Sequence, residues 1–189
     1  MKNIAIFASG NGTNAERIMD YFSDNDEINI RLVLTNNPKA GVIARAEKFG
    51  VPCRVFNRKE FYNTDKIDKL LAENNIDFIV LAGFLWLIPT SIIQSFPNRI
   101  INIHPALLPE YGGKGMYGHH VHEAVIANGE KQSGITIHYV NELYDEGNII
   151  FQATCEVKEN DTPDSLAARI HELEYAHFPV VIEKLLENI

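Results

Sequence analysis

Cysteine is scarce: two in 189 residues, Cys53 and Cys155. They are distant from each other and from any histidine. A disulfide framework would be sparse for an exported protein, and there is no Cys-x-x-Cys pair for zinc or redox work. The expectation is a cytoplasmic protein with reduced thiols. Long apolar runs are also missing. The first one, 4–8, is far too short to span a bilayer. Met1-Lys2-Asn3 leads straight into it with no cleavage region, so it reads as a strand rather than a leader. Positive charge is in deficit. Seventeen Lys and Arg stand against 25 Asp and Glu, for a net charge of -8. Such a surface repels phosphate backbones and argues against a large nucleic-acid footprint, though a small local anion site is still allowed. Repeats, low-complexity tracts and Pro/Ser-rich linkers are absent from the sequence as well. No partner beyond small molecules is expected, and a monomer or homodimer is.

What is present is 46% hydrophobic composition, enough for one sizeable core. The expected organisation is one domain over 1–189, with a βαβ half at 1–103 and a loop, hairpin and C-terminal helix at 104–189. Short apolar runs at 4–8, 28–34, 52–56, 78–81 and 100–103 alternate with helical patterns at 14–22, 40–49, 59–74 and 89–96. Runs of four to seven apolar residues without polar alternation suit strands covered on both faces. Their alternation with helices predicts an α/β, Rossmann-like, mostly parallel twisted sheet with helices on both faces. Beyond a helix at 119–128, segments 133–140 and 148–157 predict an antiparallel hairpin. A final long helix follows, capped by Asp161 or Thr162 and kinked or divided at Pro179.

Five stretches could carry chemistry. "ASGNGTN" (8–14) follows the first strand and opens the first helix. Its small residues permit close backbone approach, and the helix start offers N–H groups to an anion. A phosphate site and a plain tight turn are both open on spacing alone. The dinucleotide fingerprint is incomplete and the phosphate-loop lysine is missing. "INIHP" (101–105) sets Asn102 and His104 two apart, on one side of a strand that ends where parallel sheets bind ligands. "YDEGN" (144–148) reads as a turn and lacks the carboxylates of a calcium loop. "HHVH", with His119, His120 and His122, has no matching ligand set for zinc. "LAGFLWLIP" (81–89) is either core or the wall of a pocket for a flat ligand.

Together, "SGNGTN", "LAGF", "NIHPALLP" and "YDEG" resemble the folate-dependent phosphoribosylglycinamide formyltransferases over essentially the whole chain. The resemblance implies a catalytic trio of Asn102, His104 and Asp145. It implies that Gly12, Thr13 and Asn14 bind a substrate phosphate, in a loop shaped by Gly10 and Asn11. Glu174 matches an acidic residue near the substrate ribose or glycyl group. Leu85, Trp86, Leu87 and Ile88 match the segment around the folate ring, with Asn102 also touching the folate and Lys59 or Arg58 meeting its tail. Trp86 stands where some members carry Arg, and the loop "YGGKGMYGHHVH" is longer than in the shorter members. The implied reaction moves a formyl group from 10-formyltetrahydrofolate, a consumed cosubstrate, to the glycyl amine of glycinamide ribonucleotide, with no metal. Two relatives share the trio. Methionyl-tRNA formyltransferase carries a further C-terminal domain and formyltetrahydrofolate hydrolase a further N-terminal one, and the expectation is that this chain has neither.

Overall fold

The structure is a computed structural model that describes residues 1–187. The chain forms two compact units, Met1–Ile101 and Asn102–Ile189. Its strands make a seven-stranded mixed sheet in the order β3-β2-β1-β4-β5-β6-β7.

In the first unit, β1 (Lys2–Phe7) pairs in parallel with β2 (Ile28–Thr35) and β4 (Phe78–Leu81), and β2 with β3 (Cys53–Val55). Ile4, Ala5, Ile6 and Phe7 are fully buried, as are Phe78, Ile79 and Val80. This is what uninterrupted apolar strands require, since side chains on both faces must leave water. The helices are α1 (Thr13–Tyr21), α2 (Val42–Lys48), α3 (Arg58–Tyr62), α4 (Lys66–Glu73) and α5 (Thr90–Ser95).

The single helix expected over 59–74 is in fact two, α3 and α4. An Asn57–Glu60 capping box starts α3. The Thr64 hydroxyl then donates to the Glu60 carbonyl at 2.9 Å. Asn63, Thr64 and Asp65 offer the backbone local polar partners that compete with helix bonds, and the helical period across them does not survive.

The second unit takes in the end of β5 (Ile100–His104), then α6 (His119–Ala127), the antiparallel pair β6 (Gln132–Tyr139) and β7 (Ile149–Glu156), and α7 (Pro163–Leu186). Thr162 caps α7 by accepting from the Ser165 N–H at 3.2 Å, with Pro163 in the first turn. Pro179 does not divide α7, which runs continuously past it. Phe178, Val181, Ile182 and Leu186 are buried around that point, and their packing outweighs the lost backbone bond. The β6–β7 connection, 140–148, is longer than a tight hairpin turn and carries Asp145.

Candidate active site

In the second unit the strand end delivers both expected polar residues. His104 is 3% exposed. Its Nε2 lies 2.7 Å from the Tyr111 carbonyl oxygen. A carbonyl only accepts, so Nε2 carries a hydrogen. Nδ1 then faces Asp145 Oδ2 at 3.5 Å. Asn102 Nδ2 donates to Asp145 Oδ1 at 3.4 Å and lies 3.1 Å from His138 Nε2. Asn102, His104 and Asp145, expected from 43 positions of separation, therefore converge.

Asp145 is held in a left-handed conformation with φ 57°. Asp tolerates this better than most residues. Its Oδ2 also accepts from the Gly113 N–H at 3.0 Å. Burial pushes the carboxyl upward, but His138, His104 and the Gly113 N–H together outweigh it and hold the group below the usual carboxylate range. For His104 the balance runs the other way. Burial depresses its pKa, and Asp145 and the Tyr111 carbonyl offset this only in part.

Sequence reasoning missed His138. Its Nδ1 donates to the Tyr139 carbonyl at 2.8 Å, which leaves the Nε2 lone pair to accept from Asn102. The tautomer thereby orients the Asn102 amide. The available signal was a histidine in a buried strand, two residues from Thr136, the same spacing as Asn102 and His104. Thr136 is fully buried and fully bonded. Its hydroxyl donates to the Ala106 carbonyl at 2.7 Å and accepts from the Leu108 N–H at 3.0 Å and from Gln152 at 2.9 Å. That pins the loop that leaves His104. Tyr111 is anchored too, with its hydroxyl between Glu130 and Asn128. A cleft of about 480 Å³ opens beside Asp145, lined by Leu108, Pro109, Gly112, Tyr144 and Gly147.

Glu174 on α7 is 4% exposed and accepts from His171 Nδ1 at 2.8 Å, which raises the His171 pKa. His171 was also missed in sequence. The "HHVH" residues separate. His119 and His120 are exposed and lie near Glu123. His122 is 2% exposed, and its Nδ1 has no hydrogen-bond partner among the described residues. Among the described residues no group of three or more His, Cys, Asp or Glu is placed to hold a metal.

Burial depresses the His122 pKa from 6.5 to about 4, with the nearby His171 adding to the effect. A folded-state pKa below the unfolded one means that the unfolded chain binds the proton first. Stability is therefore full above about pH 6.5 and falls as pH drops toward 4. The shift corresponds to on the order of 3 kcal/mol. His171, with a raised pKa, acts in the opposite sense. His122→Asn removes only the His122 contribution, so urea unfolding at pH 7.5 and 4.5 should give a smaller loss in the variant than in the wild type.

In the first unit, β1 runs into the candidate phosphate loop. Gly12 caps α1 with φ 77°. A Cβ there would lie 2.5 Å from the Val42 Cβ, so both the conformation and the packing demand glycine. Asn11 is held by Arg45, whose Nε donates to the Asn11 carbonyl at 2.7 Å and whose terminal nitrogen donates to Asn11 Oδ1 at 3.2 Å. Arg45 is itself paired with Glu16. The loop thus leads into the start of a nine-residue helix, the end at which backbone N–H groups lack intrahelical partners. Along 85–88 the Leu85 N–H donates to Ser9 Oγ at 3.0 Å. Leu85 is 44% exposed and Ile88 is buried. Lys59 is exposed, while Arg58 stacks on aromatic rings.

The formyl transferase family pattern matches residues 2–182. The chain belongs to the formyl transferase family. It is similar to a chloroplastic phosphoribosylglycinamide formyltransferase of Arabidopsis thaliana, with 41% identity over 99% of this chain and 66% of that relative. It therefore spans about two thirds of that plant protein's length. A phosphoribosylglycinamide formyltransferase of Bacillus subtilis is 38% identical over 98% of this chain and 95% of its own. Among solved structures, the crystal structure of phosphoribosylglycinamide formyltransferase from Streptococcus pneumoniae superimposes with a TM-score of 0.86 at 37% identity, covering 98% of this chain and 99% of that one. Family membership accounts for the mixed seven-stranded sheet.

Proposed function

We propose that the chain transfers the formyl group of 10-formyltetrahydrofolate to the glycyl amine of glycinamide ribonucleotide. The products are N-formylglycinamide ribonucleotide and tetrahydrofolate, and the step belongs to de novo purine synthesis. The observation that carries this reading is the convergence of Asn102, His104 and Asp145 in a chain of the formyl transferase family.

The amine attacks the formyl carbon. A new C–N bond forms and an oxyanion develops. The Asn102 amide, held by His138 through one N–H, turns the other from Asp145 to that oxygen. The bond from the formyl carbon to N10 then breaks, and His104 supplies the proton with which N10 leaves. A water organised by Asp145 relays the amine's proton to His104, which burial leaves neutral at rest, and the Asp145 carboxylate stabilises the imidazolium until that proton passes to N10. His104 releases the Tyr111 carbonyl when it donates. No acyl-enzyme and no metal take part.

Gly10, Asn11, Gly12, Thr13 and Asn14 receive the substrate phosphate, and Glu174 receives its ribose or glycyl group. Leu85, Trp86, Leu87, Ile88, Asn102 and Lys59 meet the folate. The protein acts in the cytoplasm as a monomer or homodimer. No helix of the described residues is long and apolar enough to cross a membrane.

Mixing the protein with 10-formyltetrahydrofolate should release tetrahydrofolate only when glycinamide ribonucleotide is added. Release without the amine would point to a hydrolase instead. A second expectation concerns Arg45. Losing its grip on Asn11 loosens the phosphate loop, so Arg45→Ala should raise KM for glycinamide ribonucleotide about fivefold, the scale of one modest hydrogen bond. In steady-state kinetics, kcat and KM for the folate should stay near wild type.

A further inference from the structure

Residues 85–88 form no helix or strand, so their conformation depends on outside anchors. Ser9 supplies one: its N–H donates to the Gly83 carbonyl at 3.0 Å and its Oγ accepts from Leu85. The second anchor comes from α3. The Tyr62 hydroxyl donates to the Leu87 carbonyl at 2.8 Å. The Tyr62 ring lies 6.0 Å from the Trp86 ring at 33°. The Arg58 guanidinium sits over both, 5.1 Å from the Tyr62 centroid and 5.5 Å from that of Trp86. Phe56 and Phe61 close the cluster against Trp86 from the core side.

We propose that Tyr62 is a positioning residue for the formylfolate cosubstrate, acting through its hydrogen bond to the Leu87 carbonyl. The inference rests on the folate role given above to residues 85–88. An irregular segment that must present its backbone to a flat ligand gains affinity when it is fixed beforehand, because the ordering cost is removed from binding. Ser9 fixes the front of this segment and Tyr62 the rear. Arg58 braces the Tyr62 and Trp86 rings together by cation–π contact.

Trp86 is the chain's single tryptophan, so its emission reports this segment directly. Tyr62→Phe removes one hydroxyl and keeps the ring. Tyr62 is 38% exposed, so the change leaves no buried cavity. Titrating Trp86 fluorescence with tetrahydrofolate gives a Kd that needs no turnover. The expected result is a Kd about fivefold weaker in Tyr62→Phe, with KM for 10-formyltetrahydrofolate raised to match. Turnover and KM for glycinamide ribonucleotide should stay within twofold of wild type, and the melting temperature should be nearly unchanged. An unchanged Kd overturns the inference. So does an equal rise in both KM values with a lower melting temperature, which marks a structural role alone. If the wild type shows no tetrahydrofolate-dependent change in Trp86 emission, the folate role of the segment fails first.

Discussion

His104→Ala is expected to lower kcat by about two to three orders of magnitude, the cost of losing one preorganised donor at a developing charge. The geometry explains why the loss should fall on kcat. His104 is 3% exposed, with Nδ1 on Asp145 and Nε2 on the Tyr111 carbonyl. Its contribution arises when charge appears on the oxyanion or on N10. Asn102→Ala should cost a similar factor, because the amide held by His138 and Asp145 is the other donor. Removing either leaves Asp145 buried with one partner fewer, so part of the effect will appear as lost stability. Steady-state kinetics with melting curves separates the two. Near-normal turnover in a folded His104→Ala protein would remove the catalytic assignment.

Gly147→Ala is expected to be the most damaging single methyl in the β6–β7 connection. An added Cβ would stand 1.6 Å from the Tyr139 carbonyl oxygen and 2.6 Å from its carbon. Neither is a flexible side-chain end, so the connection itself must move. Asp145 is two residues away, and Tyr139 is the residue whose carbonyl sets the His138 tautomer. The substitution therefore disturbs both partners of Asn102. A stability loss of about 3 kcal/mol, at the upper end for overpacking, should accompany a large fall in kcat. Gly113→Ala makes the useful contrast. Nothing lies within 4 Å of a Cβ there, but φ is 93°, so only the conformational cost of about 1–2 kcal/mol applies. Urea unfolding of the two variants side by side checks the order. Equal losses would mean that the Tyr139 contact is not what demands glycine at 147.

Much of this was legible from residue order because the strands are apolar and the motifs are short. Asn102 and His104 were readable from their spacing at a strand end. Asp145 was not, since a turn-like "YDEG" says nothing of its three-dimensional partners, and the family resemblance supplied that link. His138 escaped because an alternating strand hides an inward histidine among residues that look like core. His171 escaped because its role depends on a buried carboxylate one helical turn on. The break between α3 and α4 escaped because a helical period was read across Asn63-Thr64-Asp65, where side chains compete for the backbone. Of the kink or division expected at Pro179, the division did not occur, since proline rules describe the local bond and not the packing on either side of it. The stretch "YGGKGMYGHHVH" proved mixed: Tyr111 holds His104, Gly113 holds Asp145, and His122 is buried with an unpartnered nitrogen, while His119 and His120 face solvent.

Direct transfer of the formyl group to the amine can be followed through its carbon. 10-Formyltetrahydrofolate labelled at the formyl carbon is mixed with glycinamide ribonucleotide and excess protein for a single turnover, and the label is traced by NMR. The label is expected to pass to the glycyl nitrogen as a formamide, with none on the protein and none in free formate. Label in free formate, whether or not the amine is present, would contradict it.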